Sequence, residues 1–130
     1  MTDPAQIFAM SYRISCRLGW THPEIARFLV GAGLDILDSE LGLAPRALRD
    51  IKAGQLAGRF TVANPQVALS AAAGGLLGLL RLRLTRPQRI KLQAADDLAG
   101  AMLRMLGVSA AEATALAAQP LPDVETPLPQ

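Results

Sequence analysis

One stretch limits the fold of this sequence more than any other: residues 67–80 are apolar on every side of a helix, with only Ser70 and three glycines interrupting them. A helix without a polar face must be covered on all sides. These 14 residues are too few to span a bilayer, which takes about 20, and Arg81 and Arg83 follow directly. We therefore expect the central helix of a soluble, multi-helix domain and not a membrane anchor.

Local start signals divide the chain into five or six helices. Asp3-Pro4 and Asn64-Pro65 each place a capping side chain before a proline at the first helical position. Residues 21–24 and 109–112 have the spacing of a capping box. No segment alternates polar and apolar residues between hairpin turns, so the predicted fold class is an all-α helical bundle.

The ends of the helices follow from the positions of glycine and proline. Gly19 is predicted to end the first helix and Gly42 the second, which is kinked or split near Gly31 and Gly33. The predicted helices are 4–18, 24–41, 45 to 58 or 60, 65–84, 87–106 and a short alanine-rich helix after Ser109. Residues 1–119 are then one helical domain, and residues 120–130, with four prolines, an extended tail.

Composition excludes several classes of protein. Hydrophobic residues make up 51% of the 130 residues and charged residues 18%, which suits one folded domain. A single cysteine forms no intramolecular disulfide, and one cysteine with one histidine builds no zinc site. The formal net charge of +2 does not by itself indicate a nucleic-acid surface. The N-terminal residues lack the pattern of a signal peptide, so a cytoplasmic location is expected.

Reactive side chains are present but form no catalytic constellation, so neither an enzyme nor a cofactor is predicted. His22 has no partner residue in the pattern, and Cys16 is better explained as a buried apolar side chain than as a redox sensor. The acids Asp35, Asp38 and Glu40 are expected to form a solvated face and not a cation site. The basic cluster at residues 81–91 is interpreted as a solvated helix end, with nucleic acid or membrane as the alternatives.

The aromatic residues, together with one amide, are candidates for the lining of a ligand cavity, because pockets combine apolar walls with a few polar groups. The helix after residue 45 is poorly amphipathic, and Lys52, Gln55 and Arg59 project near Leu48. The predicted ligand-binding residues are Phe8, Tyr12, Trp20, Phe28, Gln55 and Phe60.

Three segments carry a family resemblance. Residues 17–29, RLGWTHPEIARFL, resemble a segment of the C-terminal domains of tetracycline-repressor (TetR) family regulators in which one helix ends and the next begins at a His-Pro-Glu turn. Residues 42–48 with 58–60 are similar to a further helix of that group. Residues 64–82 and 96–107 resemble its last two long helices. The resemblance extends over about residues 7–118.

The resemblance implies an effector-sensing domain that dimerises through its last two long helices as a four-helix bundle. Small residues at four-residue spacing would let these helices approach closely, and the predicted interface is Ala71, Gly74, Gly75, Gly78, Leu82, Leu98, Met102 and Met105. The implied partners are a second copy, a small, mostly apolar effector and, only through a helix-turn-helix head expected to be absent here, operator DNA. A helical oligomerisation or adaptor module without a ligand is the alternative, and a cofactor-independent enzyme is a third.

Overall fold

The computed structural model describes residues 2–38 and 42–122, and within them the chain is all-α, with no β-strand. Two short 3-10 turns, Gly33–Leu37 and Pro87–Arg89, interrupt the helices. The α-helices of the described residues are α1 (Pro4–Cys16), α2 (Leu18–Thr21), α3 (Pro23–Ala32), α4 (Leu43–Leu56), α5 (Pro65–Thr85), α6 (Gln93–Met105) and α7 (Ala110–Ala117).

Three of the predicted capping residues cap their helices, although only half of the predicted box at residues 109–112 forms. The side chains of Asp3 and Asn64 accept hydrogen bonds from backbone N–H groups of the first turns of α1 and α5. Ser109 accepts from the backbone N–H of Glu112, 3.2 Å away, at the start of α7. The Glu112 carboxylate binds Arg59. Arg59 also binds Asp3, so it links the starts of α1 and α7 to the α4–α5 loop.

The fourth start signal, the capping box at Thr21, is wrong. α3 begins at Pro23 with His22 as its N-cap and no side-chain cap. Thr21 instead ends the one-turn helix α2, where its hydroxyl donates to the Arg17 carbonyl oxygen, 3.2 Å away. Gly19 therefore does not end the first helix but lies inside α2, where a Cβ would come within 2.7 Å of the Arg83 side chain on α5.

Other predicted boundaries shift because the backbone leaves the helix earlier or enters it later. Residues 33–37 form a 3-10 turn that begins at Gly33, whose φ of +61° suits glycine. Glu40 and the end of the helix predicted to reach residue 41 lie outside the described residues, as do residues 123–130 of the predicted tail. The last long helix begins at Gln93 and not at Pro87, since Ile90 is extended between the turn and α6.

Two clusters of apolar side chains hold the helices together. The larger one surrounds α1, where Phe8 stacks on Tyr12 with ring centroids 5.4 Å apart and meets the Phe60 ring edge-on at 6.0 Å. The smaller one joins α2, α3 and α5. Burying each large apolar side chain contributes about 1.5–3 kcal/mol. The largest of the fully buried side chains are Ile51, Leu80, Leu103, Leu106 and Cys16.

Within one chain, helix α5 is covered on one face only, and the sequence prediction assigns the covering of its other face to a second copy. Ala68, Leu69, Ala72 and Leu80 are buried, whereas the opposite face is open. By length and composition alone α5 would be able to cross a membrane. That is weak support for a membrane span, because the buried face packs in the core of the domain.

Candidate ligand-binding cavity

A cavity of about 310 Å³ lies between α1, the first 3-10 turn, α4 and α5. Most of its wall is apolar, and a few polar side chains reach it, which is the usual composition of a small-molecule site. The apolar lining is Phe8, Tyr12, Ile14, Ile36, Leu43, Ala44, Ala47, Leu69, Ala72, Ala73, Leu76 and Leu77, and the polar lining is Ser11, Ser15, Arg46 and Asp50.

Helix α1 supplies one wall because Phe8, Ser11, Tyr12 and Ser15 recur at spacings of three and four residues and so share a helix face. The Tyr12 hydroxyl donates to the Ala72 carbonyl oxygen of α5, and burial raises the pKa of Tyr12 far above its ordinary value. Tyr12 therefore stays neutral and joins α1 to α5 across the cavity wall. Ser11 and Ser15 add hydroxyl groups at the same wall.

Helix α4 supplies the charged groups. Arg46 and Asp50 lie one turn apart and both line the cavity. Burial raises the pKa of the Asp50 carboxyl, and the charges of Arg49 and Arg46 partly offset this. The Asp50 side chain is 18% exposed, and its Oδ1 lies 3.9 Å from Nε of Arg49. The α4 wall of the cavity can thus accept a hydrogen bond at the carboxylate and donate one from a guanidinium group.

Of the six residues predicted to bind a ligand, the structure brings Phe8 and Tyr12 to the cavity and places the other four elsewhere. Phe60 is buried behind Phe8, and Trp20 is half-buried beneath the Arg83 guanidinium, 4.9 Å from its ring centroid. Phe28 was expected to face inward but is 66% exposed. Gln55 is exposed, and its amide donates to the Val62 carbonyl oxygen, 2.9 Å away.

The four polar lining residues were missed by sequence reasoning. Two signals were available: Ser11 and Ser15 share the helical face of Phe8 and Tyr12, and residues 46 and 50 are four apart on one helix. The sequence of α4 allowed two arrangements, a helix exposed on most sides or one whose polar groups point inward. In the structure Arg46 and Asp50 line the cavity, whereas Lys52 and Gln55 are exposed and lie outside its lining.

The residues predicted for a dimer interface fall into two groups. Ala71, Gly74 and Gly78 are exposed on the open face of α5, and Met105 is 39% exposed on α6. Gly75 is half-buried within the chain, where a Cβ would meet Leu98 and the Tyr12 hydroxyl at 3.4 Å. The remaining half-buried members of the set are Leu82, Leu98 and Met102.

Outside the cavity, α1 carries an ion-pair network with a structural role. Nε of Arg13 binds one oxygen of Asp96 at 2.9 Å, and Nη2 of Arg17 binds the other at 2.8 Å. Burial raises the pKa of Asp96, but the hydrogen bonds from both arginines outweigh it and hold the pKa below its ordinary value. Cys16 is fully buried as predicted, and burial raises the pKa of its thiol, which keeps it protonated.

The sequence and the fold both match one family. Residues 3–119 match the family described as Tetracyclin repressor-like, C-terminal domain. The chain belongs to the TetR family. Members of this family are regulators and not enzymes, so this TetR-family chain is not an enzyme. Among curated proteins, none matches the sequence.

Solved structures of the regulator RolR resemble this TetR-family chain. The crystal structure of RolR in complex with the ligand resorcinol has 34% sequence identity and a TM-score of 0.78, and the match covers 95% of this chain and 61% of that one. The structure of RolR without ligand gives 35% identity and a TM-score of 0.77, with 95% and 62% covered. The chain thus spans about three-fifths of the RolR chain.

Proposed function

We propose that the chain is the effector-sensing and dimerisation domain of a bacterial TetR-like transcriptional regulator that acts in the cytoplasm. The observation that carries the proposal is the largely apolar cavity of about 310 Å³ with two charged residues of α4 in its lining, in a domain that belongs to this family. Its volume is at the lower end of the range for ligand pockets, roughly 300–1,000 Å³, so the effector is small.

The effector is a small aromatic compound with hydroxyl groups. Phe8, Tyr12 and the leucines of α5 suit an aromatic ring, while Asp50 and Arg46 suit hydroxyl groups that both donate and accept. The likeness to RolR, whose ligand is resorcinol, supports the same ligand class.

In the whole regulator, effector binding would change the balance between two arrangements of the DNA-binding heads, which this domain joins. The cavity lies between α4 on one side and α1 and α5 on the other. A ligand that binds one spacing of these helices better than another would shift the equilibrium by its difference in affinity.

Dimerisation uses the open face of α5 with the adjoining part of α6. Val67 is 64% exposed there, and nothing lies within 4 Å of a Cβ built at Gly74 or Gly78. An apolar helix face of this length is rarely left to solvent. A second copy related by a twofold axis would cover it and form a four-helix bundle.

The ligand proposal is tested by calorimetric titration of the chain with resorcinol. We expect saturable binding that Asp50→Asn weakens by about tenfold or more, since a hydrogen bond to a charged group is worth about 1.5–3 kcal/mol. Ala73→Leu, which fills the cavity without removing a polar group, should also weaken binding. Asp97→Asn, an exposed acid outside the cavity, is the control and should leave binding unchanged.

Absence of binding by resorcinol and other simple phenols, or binding that neither cavity variant changes, would contradict the proposal. The open apolar face of α5 would then favour the alternative, an oligomerisation module without a ligand.

A further inference from the structure

The charge of the chain is unevenly distributed. Five of its 13 cationic residues fall within residues 81–91, here called the basic turn: Arg81, Arg83, Arg86, Arg89 and Lys91. No acidic residue occurs between Asp50 and Asp96. The rest of the chain carries eight cationic and 11 acidic residues, so it is net negative. The net charge of +2 therefore conceals a strongly basic segment on an otherwise acidic domain.

The cations of the basic turn are available to a partner. Arg81, Arg86, Arg89 and Lys91 are exposed, and among the described residues no carboxylate lies within 4.0 Å of any of them. Asp96, the next acid along the chain, is already shared by Arg13 and Arg17.

Arg83 fixes the shape of the basic turn through two contacts. The Arg83 guanidinium lies over the Trp20 ring, and its Nη1 donates to the Pro87 carbonyl oxygen, 3.3 Å away. The turn is thereby tied to α2 and to the end of α5, so the four exposed cations project from a defined support.

Favourable interaction with the helix dipole explains the positions of only some of these cations. The dipole acts within the last turn of a helix, and α5 ends at Thr85. Arg81 and Arg83 benefit from it. Arg86, Arg89 and Lys91 lie beyond the helix, in the 3-10 turn and the segment around it, where the dipole gives no reason for three further cations.

We infer that the basic turn binds phosphate groups of duplex DNA without regard to base sequence, beside the specific contacts of a DNA-binding head. This rests on the proposed function, because a regulator works where DNA phosphates are concentrated. Exposed lysine and arginine side chains bind phosphate groups, and aromatic side chains are not needed for this contact. Anionic lipid surfaces also attract clusters of lysine and arginine, and the proposed regulatory function is the reason for choosing DNA over them.

The test is the fluorescence anisotropy of a labelled duplex of arbitrary sequence, titrated with the 130-residue chain from about 50 to 200 mM salt. With four phosphate contacts, the logarithm of the binding constant should fall against the logarithm of salt concentration with a slope of about −4. The triple variant Arg86→Gln, Arg89→Gln and Lys91→Gln should bind about tenfold or more weakly at low salt, with a slope near −1.

The matched control removes three exposed cations elsewhere, by Arg27→Gln, Lys52→Gln and Arg104→Gln. It changes the net charge equally and should keep most of the affinity. An equal loss in both triple variants, or no binding at low salt, would overturn the inference. So would tighter binding to phosphatidylserine vesicles than to the duplex at the same ionic strength. Resorcinol calorimetry on the same variants tests the cavity separately.

Discussion

At the scale of single residues, Asp96 of α6 and the arginine beside it connect three helices. Asp96 accepts hydrogen bonds from Arg13 of α1 and from Arg17, the residue that follows α1, and Arg13 also donates to the carbonyl oxygens of Leu116 and Gln119 at the end of α7. Asp96→Asn would leave a buried guanidinium without its counter-charge. We expect the free energy of unfolding in urea to fall by about 3 kcal/mol or more, whereas Asp97→Asn, at an exposed neighbouring position, should change it little.

The same carboxylate makes stability depend on pH. Because the pKa of Asp96 is lower in the folded chain than its ordinary value of 3.8, its stabilisation is complete above that value and is lost as the pH falls through the lower, folded pKa. Urea titrations should therefore give a steep loss of stability below about pH 4. The Asp96→Asn variant should lose less stability than the unmodified chain over this interval; an identical pH profile would show that another acid is responsible.

At the scale of helices, the end of α4 depends on a residue without a side chain. The backbone N–H groups of Arg59 and Phe60 donate to the Gly54 carbonyl oxygen, which folds the Phe60 ring back over α4. A Cβ at Gly54 would overlap this ring. Gly54→Ala should lower the melting temperature, because overpacking costs about 1–3 kcal/mol. Gly31→Ala, in a helix with open space around it, is the control and should raise stability by up to ~1 kcal/mol.

The features that the sequence predicts well are those that neighbouring residues determine. Asp3, Asn64 and Ser109 cap their helices because the interaction spans two or three residues of the same segment. The predicted capping box at Thr21 does not form because α2 packs on α5. Thr21 then belongs to the last turn of α2, where its hydroxyl donates to the Arg17 carbonyl oxygen. In the same way, which polar residue of α4 reaches the cavity, Asp50 or Gln55, depends on how α4 is rotated against α1, and no single helix specifies this.

At the scale of the whole molecule, the open face of α5 decides the oligomeric state. Gly78→Arg would place a charge in the proposed interface, so light scattering after size exclusion should give a dimer for the unmodified chain and a monomer for the variant. Gly31→Arg, an exposed helical glycine outside that face, is the control and should remain a dimer. A monomer mass for the unmodified chain would contradict the interface, and a dimer of Gly78→Arg would place it elsewhere.

The packing of Arg83 on Trp20 gives the protein a spectroscopic reporter of its own. Trp20 is the only tryptophan in the chain, and the cation above its ring belongs to the basic turn. Indole emission responds to a nearby charge and to hydration, so any partner that draws Arg83 away from the ring will change both its intensity and its wavelength. Binding at that end of the domain is therefore observable in unlabelled protein, whereas the cavity between α1, α4 and α5 has no tryptophan in its lining.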